Sequence, residues 1–305
     1  MNYKNIIKKR STRIKIMQAF NWIPDKAMIS IQYYLKTGRA INWKNPERFS
    51  EKLQLYKIYS RNSKLMERCV DKAEVRSYVE ERGLSDILVP LLGIYDSPEK
   101  IRFEELPNSF VLKDTLGSGG NSVIICNNKD SLDMNFIREQ CLKWVNCKYK
   151  HAGREHVYDN NPHRILIEKL LDSSEGTQGF IEYKFFCFDG KPGYVYVISN
   201  RQLGVGAELG IYDIDFNLLP YLRADERKPE HNIIKPINFD KMVQIAEILS
   251  KGFPEVRVDL FNVDGNIYFS ELTFFDGSGY MKFVPDEFDY IIGKLFNTNF
   301  LVEKK

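Results

Sequence analysis

Near the end of the chain, Val256-Arg257-Val258-Asp259-Leu260-Phe261 and Ile267-Tyr268-Phe269-Ser270-Glu271-Leu272-Thr273 flank an Asp264-Gly265 pair. Two strand-like runs on either side of such a pair specify a β-hairpin, so antiparallel sheet is built into the fold. Each run also carries a carboxylate among apolar neighbours, as a divalent cation holding phosphates requires. Register decides whether the two carboxylates can cooperate, because a slip of one residue turns a side chain to the opposite face. With a two-residue turn at Asp264-Gly265, Asp259 lies opposite Ser270 and Glu271 points to the other face. With a three-residue loop, Val263-Asp264-Gly265, and Gly265 left-handed, Arg257 lies opposite Glu271 and Asp259 opposite Phe269. Arg257, Asp259, Glu271 and Thr273 then share a face. Asn262-Val263-Asp264-Gly265 suits a type I turn followed by a glycine bulge, so the second register is the one predicted. Taken alone, the hairpin reads equally well as an exposed strand pair with solvated charges.

A chain of 305 residues can bury a large core and suits one elaborate domain or two intimate ones. Its 44 Lys and Arg against 41 Asp and Glu give a net charge of +3, which makes no general argument for a nucleic-acid partner. Charge is uneven, however. Lys4, Lys8, Lys9, Arg10, Arg13 and Lys15 are interleaved with Ile6, Ile7, Ile14, Ile16, Met17 and Phe20. This reads as an amphipathic helix packed on the body with a solvated basic face, and it also permits weak contact with an anionic membrane surface. No run approaches 18 apolar residues and no cleavable signal pattern follows Met17, so the expected location is the cytoplasm, with the inner membrane face as an alternative. Cys69, Cys126, Cys141, Cys147 and Cys187 lack CxxC spacing and form no zinc pattern with the four histidines.

Residues 1–70 read as helices broken by turns, with no catalytic constellation, and their expected task is to cover or position the rest. A helix after Asp71-Lys72 ends at Gly83, followed by a strand-like run over 87–94. Strands are predicted at 110–113, 123–126 and 164–168, with a helix over 135–144 between the second and third. Strands over 181–188 and 194–199 join at Asp189-Gly190, and a helix over 240–250 precedes the closing hairpin. Hairpins mixed with helices predict an α+β fold, not a doubly wound parallel sheet. The expected division is a helical region to residue 70, a first subdomain over 71–170 and a second over 171–305.

Lys113 ends the strand Phe110-Val111-Leu112, just before Gly117-Ser118-Gly119-Gly120. A lysine supplies a point charge, and a glycine-rich loop lets backbone N–H groups approach phosphate oxygens, so together they resemble a phosphate clamp. By itself the loop reads as a plain hairpin turn, and it is not a Walker A sequence. Glu168-Lys169-Leu170-Leu171 follows an apolar strand and could hold adenine at an apolar edge, with Glu168 accepting from the exocyclic amine. Glu182 and Lys184, on the next strand, are candidates for ribose hydroxyls and phosphate. Both read equally as exposed strand residues. Arg164, Arg201 and Arg257 are the cations expected near anionic substrate or phosphates, with Arg257, Lys113 and Arg201 as the catalytic set.

The order of these pieces resembles the ATP-grasp superfamily, and more closely the TupA-like ATP-grasp proteins of bacterial surface-polysaccharide biosynthesis. The resemblance is carried by Asn45-Pro46-Glu47-Arg48-Phe49-Ser50-Glu51-Lys52-Leu53, by the stretch from Asp71 through Lys72 to Val79, by Leu106-Pro107-Asn108-Ser109 running into Lys113, by Tyr183-Lys184-Phe185-Phe186-Cys187-Phe188-Asp189-Gly190-Lys191, and by the closing hairpin. It implies an ATP-grasp fold in which two α+β subdomains clasp ATP. Lys72 and Lys113 would contact phosphates, residues 117–120 would form the lid, residues 168–171 would line the adenine site, and Asp259 and Glu271 would ligate Mg²⁺. The implied activity is an ADP-forming carboxylate-amine ligation through an acyl phosphate, on a uronic acid or similar unit. Many superfamily members carry Asn two residues after the metal-binding Glu. Here Thr273 stands there, and its hydroxyl is a candidate third ligand.

Two other readings remain at this stage. Asp213-Ile214-Asp215 matches the Asp-x-Asp pattern of metal-dependent glycosyltransferases, and a nucleotide-binding scaffold without catalysis would share part of the site. Phe275-Asp276-Gly277-Ser278-Gly279 reads as a loop near the acceptor or as a simple turn.

Overall fold

The computed structural model describes residues 19–117, 122–147, 153–171, 181–202, 206–231 and 233–301, with backbone only at residues 201, 202, 206 and 300. The predicted basic helix before residue 19 lies outside them. Among the described residues the chain opens with α1 (Asp25–Thr37), α2 (Phe49–Tyr59), α3 (Lys64–Val70) and α4 (Val75–Glu81). Pro24 precedes α1, and Gly38 ends it in the left-handed conformation. At the start of α2 the Glu51 carboxylate accepts from the backbone N–H groups of Glu47 and Arg48, satisfying donors a helix terminus leaves open.

Next come β1 (Leu91–Tyr95), β2 (Phe110–Asp114), β3 (Val123–Cys126), α5 (Met134–Val145) and β4 (Ile165–Lys169). They form a four-stranded sheet in the order β1-β4-β2-β3 with every neighbour antiparallel. The predicted strand over 87–94 is shorter than expected: Ser85–Ile87 is a 3-10 turn and pairing begins only at Leu91. Pro90 accounts for the difference, since it has no N–H to donate to a ladder. Phe110, Leu112, Ile165 and Ile167 share a core with Ile137, Cys141 and Trp144 of α5. Strand alternation turns Val111, Lys113, Leu166 and Glu168 to the opposite face.

The rest comprises β5 (Ile181–Phe188), β6 (Lys191–Gln202), β7 (Gly206–Tyr212), β8 (Leu222–Arg223), α6 (Phe239–Ser250), β9 (Glu255–Val263), β10 (Asn266–Thr273), β11 (Phe283–Val284) and α7 (Phe288–Leu295). A five-stranded antiparallel sheet runs β10-β9-β5-β6-β7, and β8 pairs with β11 in a small ribbon. The expected α+β class therefore holds. On one face of the large sheet Val256, Val258 and Leu260 pair with Cys187, Phe185 and Tyr183, and Phe239 of α6 packs on Tyr183 and Phe185. The other face carries Glu255, Arg257 and Asp259 opposite Phe188, Phe186 and Lys184. Phe49 of α2 packs on Phe186 and Phe188 and covers the apolar half of this face. The polar half is left for the site.

The closing hairpin does not use the predicted three-residue loop. Asp264 and Gly265 both have positive φ, at 50° and 79°, and Asn266 pairs with Val263, which makes the turn a two-residue one. Phe269 pairs with Leu260, but the register then shifts, so that Glu271 faces Asp259 and Thr273 faces Arg257. Ser270 is the extra residue of a β-bulge, and that bulge returns Glu271 to the face of Asp259. The expected shared face of Arg257, Asp259, Glu271 and Thr273 is present, reached by a different route.

α7 lies against the start of α2, where a Cβ on Gly293 would run into the Glu47 carbonyl and the Phe49 amide. Lys52 closes the contact by donating to the carbonyls of Gly293 and Phe296, both at 2.7 Å. The obstruction is backbone and cannot swing aside, so Gly293→Ala is expected to destabilise the protein by about 1–3 kcal/mol, the range for overpacking. Urea unfolding of the variant measures it.

Candidate active site

Arg257 is the centre of the polar face. Its Nε and Nη2 donate to the two oxygens of Asp259, both at 2.7 Å. Nη2 also donates to Thr273 Oγ1 at 3.1 Å, and Nη1 donates to Asp276. Lys184 donates to the same Asp259 and lies 3.2 Å from Glu182. On the far side Asp276 accepts from Arg223 at 3.2 Å, and Arg223 in turn grips Asp225 with two hydrogen bonds. The result is a chain of alternating charge: Glu182, Lys184, Asp259, Arg257, Asp276, Arg223, Asp225.

Burial is unfavourable for every charge at the centre of that chain, and the neighbours reverse its effect. Burial works to raise the pKa of Asp259, but Arg257 and Lys184 hold it below the ordinary carboxylate range. Burial works to lower Lys184, but Asp259 and Glu182 keep it above the ordinary lysine value. Glu255, two residues before Arg257, is the exception. It is fully buried, neither carboxyl oxygen has a hydrogen-bond partner, and burial pushes its pKa far up despite the nearby Arg257. Burial thus favours the protonated form of Glu255.

Glu271 stands at the open edge of this network. Its Oε1 is 3.6 Å from Arg257 and its Oε2 3.8 Å from Lys72, both longer than a formed hydrogen bond. Lys72, in the α3–α4 connection, donates to the Gly117 carbonyl at 2.6 Å. It thus joins the end of β2 to the carboxylate on β10. Gly117 must be small, because the chain returns at Ser122 against the position a Cβ would take. Ser118, Gly119 and Gly120 lie outside the described residues, as does the side chain of Arg201.

On the smaller sheet Lys113 donates to Glu168 Oε2 at 2.7 Å, and Arg76 donates to Oε1 at 2.9 Å. Arg76 also holds the Val89 carbonyl. The oxygens proposed to read adenine are thus engaged by two cations. Lys169 is exposed, and Leu170 and Leu171 are half-buried beyond the strand. Arg164, expected near phosphate, is instead paired with Asp71 at 3.1 Å and Glu74 at 2.8 Å. Asp213 is also engaged, because both its oxygens accept from Asn217 and close a turn after β7. Asp213 thus has a local structural role in that turn.

Sequence reasoning missed Asp276, Arg223, Arg76 and Lys57. Asp276 opens the loop that read as a simple turn, in which Gly277, Ser278 and Gly279 are all left-handed. Lys57, in the helical region expected to lack site residues, reaches into that loop from α2. Its ammonium donates to the Ser278 carbonyl at 2.7 Å, to Ser278 Oγ at 3.1 Å and to the Gly153 carbonyl at 3.0 Å, with Glu155 beside it. Burial pulls its pKa down to about 7, against the opposing pull of Glu155.

Among the described residues no three His, Cys, Asp or Glu side chains form a ready metal cage. Mg²⁺ needs only one or two protein carboxylates when phosphates and water complete its shell. Glu271 fits that need, having neither oxygen in a close bond to a cation, with Thr273 Oγ1 at 3.5 Å from it. Among the described residues Asp259 Oδ1 accepts from Arg257 alone, which leaves it a lone pair.

A model of the TupA-like ATP-grasp family matches residues 51–297. The chain belongs to that family. No curated protein matches it by sequence. Among solved structures it is similar to D-alanine–D-alanine ligase from Bacillus anthracis, with 20% identity over 68% of this chain and 57% of that one and a TM-score of 0.42. It is also similar to the biotin carboxylase domain of Hydrogenobacter thermophilus 2-oxoglutarate carboxylase, with 17% identity over 82% and 50% and a TM-score of 0.44. This ATP-grasp chain spans about half the length of the solved proteins it matches.

The lowered pKa of Lys57 makes a prediction with a definite sign. Between about pH 7 and the ordinary lysine value of 10.5, the unfolded chain binds a proton there that the folded protein does not. Stability from this group therefore rises with pH across that window, by at most about 1.4 kcal/mol per pH unit. Lys57→Met should lack that rise, so the stability of the parent relative to the variant increases from neutral to alkaline pH. Urea unfolding of both proteins across the window measures it, and parallel curves would refute the assignment.

Proposed function

We propose that this ATP-grasp protein is an ATP- and Mg²⁺-dependent ligase joining a carboxylate to an amine. The carboxylate oxygen attacks the γ-phosphorus, the β–γ bridging P–O bond breaks, and ADP leaves. The amine nitrogen then attacks the acyl carbon, the bond to phosphate breaks, and the nitrogen gives up a proton as the amide forms. The observation that carries this reading is Lys72, placed between the Gly117 carbonyl and the open carboxylate of Glu271. It brings the end of the glycine-rich loop together with a group suited to a hard cation.

In this reading Lys72 and Lys113 bind the phosphates, and Lys113 exchanges Glu168 for a phosphate oxygen. Glu271 and Thr273, with the remaining lone pair of Asp259, would hold Mg²⁺, which neutralises charge on the transferring phosphoryl group. Arg257, held on two sides by Asp259 and Asp276, presents a fixed cation beside the reacting carboxylate. Glu182 and residues 168–171 are assigned to the nucleoside, and Arg201 to the substrate anion. The acid we assign is a uronic acid or similar unit of a surface polysaccharide, and the amine an amino acid or amino alcohol. The resemblance of the chain's motifs to proteins of surface-polysaccharide biosynthesis is what supports both assignments.

Incubation with ATP, Mg²⁺ and a panel of uronic-acid glycans and amines should yield ADP and a product whose mass reports loss of water. Consumption of a nucleotide sugar without ATP turnover would overturn the reading. Glu271→Gln should lower turnover by about 10²-fold or more, the scale for losing an electrostatic partner of the transition state. Arg76→Met acts on the site through Glu168 and Lys113, and also frees the Val89 carbonyl. It should raise the KM for ATP several-fold with a smaller change in kcat, as steady-state kinetics with varied ATP would register.

A further inference from the structure

We propose that Cys147, His163 and Asp114 form a thiol-modification site for small disulfides at the base of the glycine-rich segment. His163 stands just before β4, and its Nδ1 lies 2.8 and 2.9 Å from the two oxygens of Asp114, the last residue of β2. The same ring hydrogen-bonds the side chain of Cys147, which follows the end of α5. A nucleophile, a base and a carboxylate that orients the base are thus linked side chain to side chain, the arrangement that activates a cysteine.

The cation in this group comes from His163. The Cys147 N–H donates to the Trp144 carbonyl at 2.9 Å, which fixes the residue at a helix C-terminus. That end of a helix disfavours an anion, so a thiolate there needs a positive partner from another element. Burial works to lower the His163 pKa, but hydrogen bonds to Asp114 and Cys147 push it up to about 10, which favours the imidazolium at neutral pH. A thiol beside an imidazolium is biased toward its nucleophilic form. The other four cysteines set the contrast. Cys69, Cys126, Cys141 and Cys187 are buried to 1% exposure or less, and burial pushes each of those thiols up. Cys147 is partly exposed.

Exchange with a disulfide needs no further group. The Cys147 thiolate attacks one sulfur, the S–S bond breaks, and the departing thiolate takes a proton from the His163 imidazolium. Acyl transfer would also need donors aimed at an oxyanion. The adduct has a consequence for nucleotide binding, which rests on the phosphate roles given above to Lys72 and Lys113. Asp114 follows Lys113, its Oδ1 accepts from the Leu116 N–H at 3.1 Å, and its carbonyl accepts from the Gly117 N–H at 3.0 Å. Its own N–H donates to the Ser122 carbonyl, so Asp114 holds both ends of the glycine-rich segment. An adduct that draws His163 away takes a cation from Asp114 and loosens the turn on which Lys72 rests through the Gly117 carbonyl.

Limited iodoacetamide treatment of the full chain, read by peptide mass spectrometry, tests the site. Cys147 is expected to label first, with the other four cysteines reacting only in urea. His163→Gln should slow labelling of Cys147 about tenfold or more, and continued protection of the other four shows that the variant is folded. Hydroxyethyl disulfide should add a single adduct, at Cys147. A fluorescent ADP analogue should bind that adduct several-fold more weakly, with reductant restoring the parent affinity and Cys147→Ser indifferent to the disulfide. Equal labelling of all five thiols, or labelling of Cys147 at the parent rate in folded His163→Gln, overturns the proposal. An adduct that leaves nucleotide affinity unchanged overturns the coupling to the loop. Labelling requires no nucleotide, so failure of the unmodified chain to bind ADP would count against the ligase reading alone.

Discussion

The Arg257–Asp259 pair is the interaction on which the polar face depends. Two parallel hydrogen bonds fix the guanidinium plane, and further bonds to the pair come from residues in different parts of the chain: Lys184 on β5, Thr273 on β10 and Asp276 beyond it. Such a pair is costly to bury and gives little net stability relative to apolar packing. Its effect is on specificity of structure. Three strands and a left-handed loop must all be in register for these charges to be satisfied, and a slip of any one leaves a charge unpaired in the core.

That dependence explains what could be read from the residues. Both Asp-Gly hairpins were legible, because a turn with positive φ at two successive residues nearly demands Gly at the second. The α+β class was legible from hairpins alternating with helices. The bulge at Ser270 was not, since nothing in a serine between Phe269 and Glu271 marks an extra residue. It is selected by the pairing it permits, Glu271 against Asp259 and Thr273 against Arg257. The two-residue turn and the shared face had looked mutually exclusive, and the bulge reconciles them.

Lys57, Arg76 and Asp276 escaped notice for a different reason. Their partners lie far away in the chain or on elements whose approach is set only by packing. Lys57 meets Ser278 because α2 is laid over the apolar half of the large sheet by Phe49, Phe186 and Phe188. Arg76 meets Glu168 because α4 follows the same short connection that places Lys72. A helical region that looked like a cover is in this way a source of positioning groups.

The pairings of the two candidate phosphate lysines bear on how a polyanion could be admitted. Lys113 rests on Glu168, and Lys72 on the Gly117 carbonyl with Glu271 just out of bonding range. Glu168 keeps Arg76 if Lys113 leaves it, so that side of the exchange strands no buried charge. Among the described residues Glu271 has no such second close cation, and losing Lys72 to a phosphate would leave it facing incoming negative charge with Arg257 at 3.6 Å. In the proposed reading a divalent cation arriving with the nucleotide would supply the missing positive charge at that position. The asymmetry between a carboxylate already held by arginine and one left open is a physical reason to assign the metal to Glu271 and not to Glu168.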